Sequence, residues 1–212
     1  MSGPLVKICG ITRVEDAAVA IELGAAWLGL NFWPGSPRCG DRARARAIAR
    51  AVGGRAGLAG VFVDAPLGEV EATLAEVGLD LAQLHGSEPA GDLASLAAAG
   101  RLLRVFRGLP DQAAIDGSPR GALFLVDAAH ATLRGGTGRS WEWGSLAGLR
   151  FPAPLLVAGG IRPENVAAAL DSSGADGVDV ASGVESAPGI KDPGKMERLF
   201  MEVRRAAQDP RP

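Results

Sequence analysis

The chain is poor in the residues that build stapled or metal-bound folds. It holds only two cysteines, Cys9 and Cys39. Two cysteines do not make a disulfide framework, and no paired Cys/His spacing suggests a zinc site. Spacing alone leaves a Cys9–Cys39 bridge open. The default is a cytoplasmic protein with reduced thiols. The first residues carry no charged segment followed by an apolar one, so nothing signals export. No apolar run is long enough to cross a bilayer, which argues against a membrane partner. Lys and Arg number 22 against 24 Asp and Glu, for a formal net charge of −2. Without a basic stripe there is no reason to propose nucleic acid as a partner. A GxGxxG dinucleotide fingerprint after the first strand is also absent.

What remains is a chain of 212 residues with 47% apolar composition. That is enough for one well-filled domain, short for two, and near the lower end for an eight-fold barrel. Short Leu/Val-rich runs alternate with Ala/Glu/Arg-rich helical stretches throughout. Strands are expected over 5–9, 27–31, 57–63, 80–84, 102–106, 122–126, 154–158 and 177–180. Helices are expected over 14–23, 41–52, 67–77, 89–99, 111–115, 143–147, 163–170 and 193–206, the fifth and sixth resting on weak patterns. Thr12 and Glu15 have the spacing of a capping box. Pro163 and Pro193 fit first helical turns, and Asp192 fits the cap of the last helix. Strict alternation implies a parallel sheet, and eight repeats favour closure. The expectation is an α/β protein, a single (β/α)8 TIM barrel over residues 1–212, with 207–212 a frayed tail.

In such a barrel the strand-to-helix loops open on one face, where active sites lie. Two loops are long, Trp33–Gly40 and Ala128–Ser140, and long loops in compact domains are commonly functional. Glycine-bearing turns follow the last two strands: Gly159-Gly160 and Ser182-Gly183. Glycine lets backbone N–H groups approach an anion, and these two loops are the recurrent phosphate site of the fold. Gly135-Gly136-Thr137-Gly138, with Arg139 beside it, is a third glycine patch that suits a backbone nest.

Cys9 ends the first strand and Asp127 the sixth, so a thiol and a carboxyl reach the mouth from different sides. Such a pair suits an isomerisation in which one proton is delivered and another removed. Lys7 shares the face of Cys9, and closure makes the eighth strand a neighbour of the first. A Lys7–Asp179 pair inside the barrel is therefore expected, because a lone buried charge is costly. Arg38 sits in a proline-stiffened loop where its guanidinium can grip a carboxylate. Gln83 and His85 share one face at the end of strand four, and Asp64 follows strand three. Each of these can reach a substrate or hold a loop.

The segments KICGIT (7–12), SPR (36–38), GVFVD (60–64), QLHGSE (83–88), GGTG (135–138), LLVAGGIRPENV (155–166) and GVDVASGVESAPGIKD (177–192) together resemble the phosphoribosylanthranilate isomerases of tryptophan biosynthesis. The resemblance covers nearly the whole chain. It implies an aldose–ketose isomerase that carries out an Amadori rearrangement without metal or coenzyme. By the same resemblance Cys9 is the general base, Asp127 the general acid, and Arg38 the grip on the anthranilate carboxylate. Backbone groups around Gly159, Gly160, Ser182 and Gly183 hold the phosphate, and Gln83, His85 and Gly136 complete the substrate-binding set. Two positions depart from the pattern: Ala181, where the family often has serine, and Trp33, which lines an aromatic pocket or packs its loop. The rivals are another phosphate-binding barrel, such as indole-glycerol-phosphate or thiamin-phosphate synthase, and a non-catalytic barrel that binds a phosphate metabolite. The first synthase calls for a catalytic lysine and glutamate set, the second for a metal–diphosphate site.

Overall fold

Alternate residues of a strand point to opposite faces, so a closed sheet has one set inside and another against its helices. A computed structural model describes residues 3–127 and 143–208. Its strands are β1 (Leu5–Cys9), β2 (Trp27–Asn31), β3 (Gly57–Phe62), β4 (Leu81–Leu84), β5 (Leu102–Arg107), β6 (Leu123–Asp127), β7 (Leu155–Ala158) and β8 (Gly177–Val180). They pair in sequence order, all parallel, and β8 returns to β1 to close the barrel. The expected eight-fold barrel is therefore the fold, with strand ends within a residue of expectation.

Helices α1 (Val14–Leu23), α2 (Arg42–Val52), α3 (Leu67–Val77), α4 (Ala90–Ala98), α5 (Gln112–Asp116), α6 (Val166–Ser173) and α7 (Pro193–Gln208) wrap the outside. The pattern of α2 shows why. Ala45, Ile48 and Val52 recur on one face and are buried, while Arg42 and Arg46 point away and reach Glu76 on α3. The stretch expected as a sixth helix is only a 3-10 turn over Trp143–Leu146. Gly144 and Gly148 leave too little helix propensity for more.

Three helix ends differ from expectation, one in its cap and two in their bounds. The Thr12–Glu15 capping box does not form: α1 has no side-chain cap, and Thr12 Oγ1 donates instead to the Gly189 carbonyl. A tertiary hydrogen bond outcompetes the local one. Pro163 lies in a turn, and α6 begins three residues later at Val166. The last helix runs on to Gln208, so residues 207 and 208 are helical rather than frayed. Asp192 does cap α7, accepting from the Lys195 amide at 2.9 Å.

Apolar side chains form two layers. Leu103, Val105, Leu125, Leu156 and their neighbours fill the barrel interior. A larger cluster, including Ile8, Leu28, Phe124, Val178 and Leu199, lies between sheet and helices. Toward the strand C-termini the interior turns polar. Lys7 is fully buried there, directly across the β1–β8 register from Asp179, and its Nζ lies 2.8 Å from Asp179 Oδ1. The expected pairing is present. Burial alone would lower the Lys7 pKa, but the Asp179 charge overcomes it and holds the ammonium above its ordinary value.

Beyond β8 the chain adds an antiparallel hairpin that the strand pattern did not foretell: β9 (Glu185–Ala187) and β10 (Ile190–Lys191) around a Pro188-Gly189 turn. Two- and three-residue strands carry too little periodicity to be read.

The buried pair yields a stability prediction. Asp179→Ala should cost about 3–5 kcal/mol by urea unfolding, because it strands the Lys7 ammonium. Lys7→Met combined with Asp179→Leu should cost less than Asp179→Ala alone.

Candidate active site

The polar end of the interior opens into a cavity of about 350 Å³ at the C-terminal face. On the β1 side its wall includes Cys9 and Gly10. Cys9 and Cys39 are both free thiols. The neighbouring strand passes Cys9 with Gly29, where an added methyl would meet the Cys9 sulfur at 2.7 Å and Lys7 Nζ at 3.1 Å. That glycine leaves room for both side chains. Burial pushes the Cys9 thiol pKa up, and the adjacent Lys7 ammonium offsets this only in part.

Asp127 lies at the end of β6, three strand steps from β1 around the ring, and lines the same cavity. Its Oδ2 is 3.2 Å from His85 Nε2, and His85 Nδ1 is 3.2 Å from Gln83 Nε2. Gln83 and His85 both line the cavity. Gln83 is 2% exposed, and its Oε1 has no hydrogen-bond partner among the described residues. An orphaned buried acceptor costs about 1–3 kcal/mol, which a ligand hydroxyl can relieve.

The loop after β2 brings Arg38 to the rim. Hydrogen bonds within the loop hold its shape: Ser36 N to the Trp33 carbonyl, Cys39 N to the Ser36 carbonyl, and Arg38 N to Ser36 Oγ. The Arg38 guanidinium is already engaged on one edge, where Nε and Nη2 donate to Glu185 Oε1 and Oε2 at 2.8 and 2.6 Å. Its outer end, Nη1 with the second proton of Nη2, remains for a ligand carboxylate. Trp33 lines the cavity while 43% exposed, its indole lying over Gly35. It fills both of the roles open to it, lining the pocket and packing its own loop.

Across the mouth, Gly159 and Gly160 have φ of +90° and +69°, a region other residues rarely enter, and both line the cavity. Asn165 steadies this turn by donating to the Gly160 carbonyl and accepting from the Arg162 amide. Ser182 lines the cavity too, beginning a 3-10 turn over Ser182–Val184. Gly183 does not line it; its α-carbon presses on the Ile161 carbonyl, where no side chain would fit. It joins the loops after β7 and β8 together. Gly136 and the rest of the GGTG patch lie outside the described residues. Asp64 holds a loop: its Oδ1 accepts from the Ser87 amide at 2.6 Å.

Glu185, Lys191 and Asn31 escaped the sequence reading. Asn31 ends β2 and lines the cavity. Glu185 and Lys191 are brought opposite one another by the hairpin, and the Pro-Gly turn between them was the one available signal. Among the described residues no group of three or more His, Cys, Asp or Glu side chains is placed to hold a metal ion.

Known proteins share this sequence and this barrel. The profile of the family described as N-(5'-phosphoribosyl)anthranilate (PRA) isomerase matches residues 6–202. The N-(5'-phosphoribosyl)anthranilate isomerase of Cellvibrio japonicus is 42% identical over 196 residues, spanning 92% of this chain and 91% of that protein. Among solved structures, the phosphoribosyl anthranilate isomerase of Thermus thermophilus superposes with a TM-score of 0.82 at 36% identity, covering 95% of this chain and 98% of that one. Another, solved in complex with reduced 1-(o-carboxyphenylamino)-1-deoxyribulose 5-phosphate, has a TM-score of 0.82 at 30% identity, again over 95% and 98% of the two chains. With the family profile matched over nearly the full length and a 42% identical relative spanning 92% of it, the chain belongs to the phosphoribosylanthranilate isomerase family.

Proposed function

We propose that this isomerase of tryptophan biosynthesis moves protons between Asp127, Cys9 and a phosphoribosylanthranilate held at both ends. The observation that carries the reading is one cavity lined by the thiol, the carboxyl, the Arg38 guanidinium and the paired glycines. Asp127 protonates the ribose ring oxygen. The bond from that oxygen to C1 breaks as the anthranilate nitrogen lone pair forms a C=N bond, giving a Schiff base. Cys9, as thiolate, then takes the proton from C2. The C2 electrons move into a C1–C2 double bond and neutralise the iminium nitrogen. The resulting enolamine tautomerises: C1 gains a proton, the C2 hydroxyl loses one, and the ketone product forms. Carbon 2 is oxidised as carbon 1 is reduced, so the reaction balances without an external oxidant or reductant.

Each end of the substrate has a chemical match. The outer end of Arg38 suits the carboxylate on the ring, with Trp33 beside the ring itself. Backbone N–H groups at Gly159, Gly160 and Ser182 suit the phosphate, with Gly183 supporting that turn. Gln83 Oε1 is an acceptor for a sugar hydroxyl. His85, within 3.2 Å of Asp127 Oδ2, sits where it can hold or return the acid's proton. A cytoplasmic location follows from a diffusible biosynthetic metabolite as substrate.

Desolvation raises the Cys9 thiol pKa and the Lys7 ammonium beside it offsets this only in part, so the thiolate proposed here is a stronger base than an ordinary one.

Loss of phosphoribosylanthranilate fluorescence on adding purified enzyme tests the activity. Cys9→Ala and Asp127→Asn should each lower kcat by roughly 10²–10⁴-fold with unfolding transitions little changed. Near-normal turnover in either variant would remove that residue from the mechanism. The rate of Cys9 alkylation by iodoacetamide, followed by mass spectrometry, should rise with pH and inflect above the ordinary thiol value of about 8.5. An inflection below it would contradict the burial argument.

A further inference from the structure

The most heavily bonded ionic group in the mouth lies on the hairpin after β8. Glu185 is 7% exposed and Lys191 is 1% exposed. Glu185 Oε1 accepts from Arg38 Nε at 2.8 Å, Lys191 Nζ at 2.9 Å and the Gly189 amide at 3.2 Å, while Oε2 takes Arg38 Nη2 at 2.6 Å. Lys191 Nζ uses its other two protons on the carbonyls of Cys9 at 2.6 Å and Ala181 at 3.1 Å. The Lys191 amide donates to Asp16, and Lys195 Nζ donates to the Glu185 carbonyl. The hairpin is thus tied to β1, to the loop after β8 and to α7.

This arrangement exceeds what holding a hairpin requires. Two cations, Arg38 and Lys191, share one carboxylate, so the network carries an excess positive charge at the cavity wall. A side-on fork between Glu185 and Arg38 fixes the plane of the guanidinium and leaves its outer end for a second carboxylate. A long arginine on a loop would otherwise lose rotamer freedom on gripping a ligand.

We propose that Glu185, anchored by Lys191, is a positioning residue that orients Arg38 to recognise the aryl carboxylate of the substrate. The proposal rests on the reading of Arg38 as the carboxylate grip. Glu185 itself stays charged over the working range: burial alone would raise its pKa, but hydrogen bonds from Arg38 and Lys191 hold it below the ordinary carboxyl value.

The test measures discrimination rather than activity. Dissociation constants are determined by calorimetry for two probes: reduced 1-(2-carboxyphenylamino)-1-deoxyribulose 5-phosphate, and the same compound with a plain phenyl ring. Their ratio reports carboxylate recognition, and the phenyl compound serves as an internal control for site integrity. Glu185→Gln should shrink the ratio about tenfold (1.4 kcal/mol) while leaving phenyl-probe binding within about twofold. In an Arg38→Ala background, Glu185→Gln should shrink it no further, since a positioning residue acts through what it positions. If Glu185→Gln does not fold, Glu185→Asp keeps the charge, draws it back by one methylene, and should move the ratio in the same direction. Equal weakening of both probes, or an unchanged ratio in Glu185→Gln while Arg38→Ala collapses it, would overturn the positioning role and leave the grip standing. An unchanged ratio in Arg38→Ala itself would overturn the grip, and the positioning role with it.

Discussion

Burying an ammonium group inside a protein is costly unless a carboxylate meets it, and the mouth of this barrel is organised around that requirement. Lys7 and Lys191 are both shut away from solvent. Asp179 answers the first across the β1–β8 seam, and Glu185 answers the second across the added hairpin. Each pair does more than neutralise charge. The first lies at the closure of the barrel, next to the thiol. The second ties the end of β1 to the loop after β8 and sets the guanidinium of the loop after β2. The reacting groups therefore stand on a frame whose parts would be left uncompensated if they moved.

The surroundings of Cys9 show two opposed electrostatic effects with burial prevailing. A nearby ammonium favours a thiolate, but desolvation outweighs it and raises the thiol pKa. Such a thiol differs from the easily ionised thiolate of a redox cysteine. In the proposed role it suits the removal of a proton from carbon, where basicity counts for more than readiness to ionise. On the far side of the cavity, Gln83, His85 and Asp127 form a chain of side chains from β4 to β6 that turns the carboxyl toward shared space.

The side proposed to hold the phosphate depends on backbone shape rather than charge. Two successive glycines in left-handed conformation, and a third pressed against the carbonyl of Ile161, let the loops after β7 and β8 approach closely. The sequence reading placed Gly183 with the ligand contacts because a glycine turn lets backbone N–H groups approach an anion. Its place against Ile161 shows the same invitation to glycine arising from packing between loops.

Strand and helix spacing, the closing repeat, Cys9 and Asp127 at strand ends, and even the Lys7–Asp179 partnership were legible in the sequence. All follow from period-two and period-3.6 patterns and from the rule that a closed ring brings its first and last strands together. The Arg38–Glu185–Lys191 network was not, because its members lie far apart in sequence or on strands too short to show a period. The failed Thr12 capping box has a related cause: a local motif competes with partners that only folding supplies, and the Gly189 carbonyl prevailed. Local periodicity determined the barrel and the strand ends that bear its chemistry. Only the packed chain decided which oxygen each buried cation meets and how strongly the thiol holds its proton, because desolvation depends on everything that surrounds a group and not on its neighbours along the chain.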